Sequence, residues 1–103
     1  MKLNNLAIIV RRWFQKTYGN TYHSVIVYAN SEVIGREHFR YGYGDAWKQT
    51  AMEILQNANL WPRTNQRLKS GIGKDFYDFL GYLKENKDNI IIEVVNVNRK
   101  KDL

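Results

Sequence analysis

Two histidines and two arginines stand out for the chemistry their spacing allows: His23, Arg36, His38 and Arg40. Between the first and the rest lies Asn30-Ser31, flanked on both sides by runs rich in Val, Ile, Tyr and Phe. That composition predicts a β-hairpin with a short polar turn. A two- or four-residue loop centred on the pair sets His23 opposite His38, Val25 opposite Arg36 and Val27 opposite Ile34. The other face then holds Tyr22 with Phe39, Ser24 with Glu37, Ile26 with Gly35 and Tyr28 with Val33, since side chains alternate along a strand. Two opposed imidazoles could serve as acid and base on a phosphodiester, with Arg36 or Arg40 steadying the developing charge. They could also be two metal ligands, but no third is near in the sequence. Cations interleaved with rings also suit phosphate contacts and base stacking without any catalysis. The plainest alternative is a solvated sheet face. All of this depends on register, because a slip of one residue puts the two imidazoles on opposite faces.

The elements that must position these residues follow from local pattern. Leu6 to Phe14 opens with β-branched residues and reads as a first strand. Gly19-Asn20 suits a tight turn into a second strand over Tyr22 to Ala29. After the hairpin, Gly42 and Gly44 end the third strand, and Asp45 is a natural N-cap. Trp47, Ala51, Ile54, Leu55 and Ala58 recur at helical spacing, and Pro62 stops that helix. A loop from Trp61 to Gly73 carries Arg63, Arg67 and Lys69. A second helix opens at Lys74 or Asp75, with Phe76, Phe79, Leu80 and Leu83 on one face and Gly81 permitting a close neighbour. Ile90 to Val97 is a strand of strong β propensity, and the basic tail over 99–103 is expected to fray. The order βββααβ predicts a single α+β domain over 1–103: a two-layer sandwich with an antiparallel sheet of about four strands. Both helices should cover its aromatic face, leaving His23, Arg36, His38 and Arg40 on the open side.

Composition narrows the partner. Sixteen basic residues against ten acidic give a formal charge of +6, which favours an anionic partner. Arg11, Arg12 and Lys16 would add supporting charge near the open face. The absence of cysteine excludes disulfides, thiolate chemistry and Cys-based zinc fingers. The opening MKLNNLAIIVRRW has five apolar residues in a row before two arginines, too few for a secretory core or a membrane span. A cytoplasmic protein without membrane partner or cofactor is expected. Gly42-Tyr43-Gly44-Asp45 and Gly71-Ile72-Gly73-Lys74 could let an anion approach a helix start. Neither completes a Walker or dinucleotide motif, and strand-to-helix turns needing positive φ explain them more simply.

Two resemblances arise. The strand–strand–helix order of Thr21 to Ala58 is similar to the second half of double-stranded RNA-binding domains. Asp45-Ala46-Trp47-Lys48 stands where that family carries a lysine pair, and a strand replaces its preceding helix, so the chain is not placed in that family. More specifically, GNTYHSV at Gly19 to Val25 with YGYGD at Tyr41 to Asp45 resembles a group of small uncharacterised proteins of bacteriophages and mobile elements. That resemblance implies an accessory factor or an inhibitor of host defence. It carries no site residues. The expectation is therefore a small basic, non-enzymatic binding protein that engages nucleic acid or a host nucleic-acid-processing protein. Its edge strands leave room for a homo-oligomer. The competing expectation is a ribonuclease-like phosphodiesterase using His23 and His38.

Overall fold

The computed structural model describes residues 5–42 and 44–103. The first four residues of the N-terminal segment, and Tyr43 within YGYGD, lie outside the described residues. The chain runs β1 (Ala7–Gln15), β2 (Asn20–Ala29), β3 (Glu32–Tyr41), α1 (Trp47–Asn57), α2 (Lys74–Glu85) and β4 (Ile91–Val97). This is the expected α+β sandwich, with one four-stranded sheet in the order β3-β2-β1-β4 and both helices packed on one face. The sheet is mixed rather than wholly antiparallel: β4 returns beside β1 and pairs with it in parallel, Ala7 against Ile91 through Trp13 against Val97.

The turns follow their residues. Asn30 and Ser31 both take positive φ (55° and 68°), which makes a two-residue hairpin turn between Ala29 and Glu32. The β1–β2 connection is longer than the tight turn expected at Gly19-Asn20. Asn20 already pairs with Gln15, and Gly19 at φ 70° closes the intervening loop by donating to the Gln15 carbonyl. Helix α1 starts after Ala46 without a side-chain cap, so Asp45 does not cap it and instead lies 3.4 Å from Lys48. Its end is closed by Asn59 at φ 60°, with Leu60 N–H reaching Leu55 O and Asn59 N–H reaching Gln56 O. That is the left-handed stop that asparagine tolerates. No neighbour lies near Gly81, so the close packing expected there is not formed.

The core joins Leu6, Ile8, Val10, Val25 and Val27 of the sheet to Trp47, Ala51, Met52 and Leu55 of α1 and Phe79 and Leu83 of α2. Trp61 belongs to this packing. It lies edge-on to Phe79 at 5.2 Å and donates its indole N–H to the Asp75 carbonyl. Asp75 in turn accepts from both the backbone N–H and the hydroxyl of Thr64, each at 2.7 Å, fastening the long loop to the start of α2. Those donors, the hydroxyl foremost, hold its carboxyl below the ordinary carboxylate value, against the opposing effect of burial.

The helices cover the opposite face of the sheet from the one expected. Facing them are His23, Val25, Val27 and Ala29 of β2 in line with Ile8 and Val10 of β1, all buried. The aromatic row, Trp13, Tyr22 and Phe39, looks the other way. Compact β-branched side chains make the flatter surface for a helix to lie on, whereas the large rings stack on one another across the strands. The tail also departs from expectation. Lys100–Asp102 forms a 3₁₀ turn on the ring-bearing face, Arg11 donates to the Asp102 carbonyl, and Leu103 sits beside Ile9 and Ile26.

Candidate nucleic-acid interface

The geometry of the site is decided by two irregularities in β3. Near the turn the register is as expected, with Ala29 opposite Glu32 and Tyr28 opposite Val33. An extra residue, Ile34, is then inserted, so that Val27 faces Gly35 and Val25 faces Glu37. A second extra residue makes Ser24 oppose both His38 and Phe39, and His23 faces Arg40. Each bulge advances β3 by one residue and turns the following side chains to the other face. The His23–His38 pairing is therefore not formed. One ring lies under the helices and the other on the open face, so an acid–base couple acting on one substrate atom is not available.

His23 is an interior residue. It is 1 % exposed, with Nε2 2.8 Å from the Thr50 hydroxyl and Nδ1 3.3 Å from the Gly42 carbonyl. A carbonyl only accepts, so Nδ1 carries the proton and Nε2 accepts from Thr50. Burial is the largest influence on the ring and lowers its pKa, while the Gly42 carbonyl pulls the other way. The ring is thus a neutral bridge between the end of β3 and α1. Gly42 is fitted to it: at φ 148° its backbone is one that side chains rarely adopt, and a Cβ there would meet the Ala46 Cβ at 2.6 Å. Arg40 lies on the same side and pairs with Glu53 of α1 at 2.6 Å. Neither His23 nor Arg40 belongs to the open face.

Arg12 and Lys16 are also displaced from it. Both line a cleft of about 560 Å³ at the end of the sheet on the helix side, with Phe14, Asn96 and Asn98. Arg12 is tied there by Asn96 Oδ1 and the Gly44 carbonyl, and so links β1, β4 and the entry to α1. The structure therefore splits the seven expected site residues. Arg11, Arg36 and His38 share the open face around a small hollow that Ile9, Ser24, Ile26, Glu37 and Leu103 also line, while His23, Arg40, Arg12 and Lys16 do not. Among the described residues, Arg11, Arg36 and His38 make no ion pair. Also among these, no three His, Asp or Glu side chains gather closely enough to hold a metal.

The sequence pattern pairs Tyr22 with Phe39 but sets them under the helices, and it does not place rings beside Arg11, Arg36 and His38. Trp13, Tyr22 and Phe39, on three neighbouring strands, form a continuous stack with centroids 5.7 and 4.6 Å apart. Tyr41 meets Tyr22 edge-on at 5.7 Å and is 60 % exposed. The Lys100 ammonium lies 4.7 Å from the Phe39 ring centre, closing that end of the stack. One available signal was Gly35, since a lone glycine inside a strand marks a bulge and a bulge changes which face follows.

No protein-family model, no curated protein and no solved structure matches this chain.

Proposed function

We propose that the open face of the sheet binds single-stranded nucleic acid, without catalysis. The observation that carries this is one surface combining the Trp13–Tyr22–Phe39 stack and the exposed Tyr41 with the basic side chains Arg11, Arg36 and His38, none of them in an ion pair among the described residues. A single strand offers unstacked bases to aromatic rings and phosphates to cations, and needs both together. Within the stack most ring faces are already taken by neighbours. Bases would therefore use Tyr41 and the exposed ring rims, with phosphates following Arg36, His38 and Arg11. The phage-type resemblance of GNTYHSV and YGYGD is compatible with such a role.

The test is a fluorescence-anisotropy titration with single-stranded DNA and RNA oligonucleotides, repeated from low to moderate salt. Affinity should fall steeply as salt rises, and Arg36→Ala should flatten the dependence by about 0.7 in log–log slope for each phosphate it no longer neutralises. Tyr41→Ala should weaken binding by about 1–3 kcal/mol at all salt concentrations. Absence of binding to either polymer at low salt would overturn the proposal.

A further inference from the structure

Strand β4 borders the sheet, and its residues Ile91 to Asn96 are all exposed. On the helix side Ile92 and Val94 continue the row of Ile8 and Val10, and on the open side Ile91 and Val95 continue that of Ala7 and Arg11. Four β-branched side chains on one border strand of unbroken register present a ready template for another strand. The backbone says which groups are on offer. Ile91 donates its N–H inward to the Leu6 carbonyl, so alternate residues turn outward: Ile92, Val94 and Asn96.

We propose that β4 is the contact strand of a homodimer, pairing antiparallel with β4 of a second copy across a two-fold axis at Val94. Only this register matches every outward group. Val94 meets Val94 of the second copy, and Ile92 meets Asn96. A shift of two residues leaves outward groups unmatched, and a shift of one sets outward residues against inward ones. The charges select the occupant. Glu93 is the one charged residue of β4 and makes no ion pair among the described residues. In this register it lies beside Val95 of the second copy, and the next position across that copy's sheet is Arg11. Two strand spacings, about 9.6 Å, are within the combined reach of a Glu and an Arg side chain. An acidic peptide or a nucleic acid at this edge would instead meet Glu93 as a like charge. The two-fold also sets both ring-bearing faces on the same side of one joined sheet, since opposed residues of an antiparallel pair share a face. The proposal does not depend on nucleic-acid binding and is tested in its absence.

The chain contains no cysteine, so Val94→Cys introduces a single thiol. On the two-fold axis it would face its own copy at a Cα separation of about 5.5 Å, a distance a disulfide spans. Under mild oxidation Val94→Cys should give a covalent dimer at least about ten-fold faster than Val33→Cys on the opposite edge, because pairing raises the local thiol concentration. The unmodified chain should sediment at twice the mass of one chain. Val94→Lys should sediment at single mass with an unchanged far-ultraviolet circular dichroism spectrum. Arg11→Glu and Glu93→Arg should each weaken self-association, and the double variant should restore it. A chain that stays at single mass over the whole concentration range, or a Val94→Cys variant that links no faster than Val33→Cys, overturns the proposal.

Discussion

Strands β3 and β4 border the same sheet, and each leaves a row of backbone groups with no strand beside it. β3 is broken twice by an extra residue and carries Glu32, Arg36, Glu37, His38 and Arg40. It is held down by α1, with Gly35 under Ile54 and Arg40 paired to Glu53. β4 pairs with β1 in unbroken register, carries one charge and is exposed over nearly its whole length. Bulges and charges twist an edge away from newcomers, whereas a flat apolar edge accepts them. The irregular edge is thus committed to its own helix layer. The regular edge keeps its hydrogen-bonding capacity in reserve.

If that contrast is right, damage on the β3 side should cost stability, and damage on the β4 side should cost association. The largest effect is expected from His23→Ala, which empties a buried site and leaves Thr50 and Gly42 without a partner. We expect a loss of about 3 kcal/mol in denaturant unfolding, against less than about 1 kcal/mol for Ile91→Ala on β4. Gly35→Ala comes next. A Cβ there would lie 2.8 Å from the branched Ile54 side chain, and an overpacked contact of that kind costs about 1–3 kcal/mol. Gly35→Ala with Ile54→Ala should recover part of the loss, and no recovery would remove Ile54 as the cause.

His23 also predicts a pH dependence. Its folded-state pKa lies below the ordinary value, so the unfolded chain takes up the proton first as the pH falls. The stabilisation is complete above about pH 6.5 and declines as the pH drops toward the lower folded value. Unfolding curves from pH 8 to 5 should show this decline in the native chain. A decline of equal size in His23→Gln would assign it elsewhere. Smallest of all should be Arg40→Ala, since a half-exposed ion pair contributes about 0.2–1 kcal/mol and less at high salt. On the other edge, amide exchange at Ile92, Val94 and Asn96 should slow on concentration and recover on dilution. Uniform fast exchange at every concentration would erase the difference between the edges.

The elements are legible in the sequence because their signals are local. Asn30-Ser31 specifies its own turn, and the Trp47–Leu55 and Phe79–Leu83 spacings specify helix faces that bury as expected. The site is less legible because facing is not local. Two single-residue insertions in β3, at Ile34 and at His38–Phe39, separate His23 from His38 although neither strand departs from its expected span by more than a residue or two. Strand alternation places the Tyr22–Phe39 face under the helices, yet Val25, Val27, Ile8 and Val10 lie there and those rings stack outside, while Trp47 and Phe79 of the helices are buried. Only packing against α1 and α2 decides between the two faces. The tail likewise has no signal of its own: Lys100 finds Phe39, and Arg11 finds Asp102, only after the sheet exists.

The parallel pairing of β1 with β4 has a consequence for how the chain assembles. Ala7 pairs with Tyr28 across a short loop, but it also pairs with Ile91, and Arg12 reaches Asn96 across 84 positions. The three-stranded meander can form as soon as its own residues leave the ribosome, whereas β1 gains its second neighbour only once β4, beyond both helices, has been synthesised. Closing so long a segment is slow compared with forming a hairpin. The free flank of β1 therefore stays open until the last strand arrives, and this is the interval in which a nascent chain is most open to mispairing.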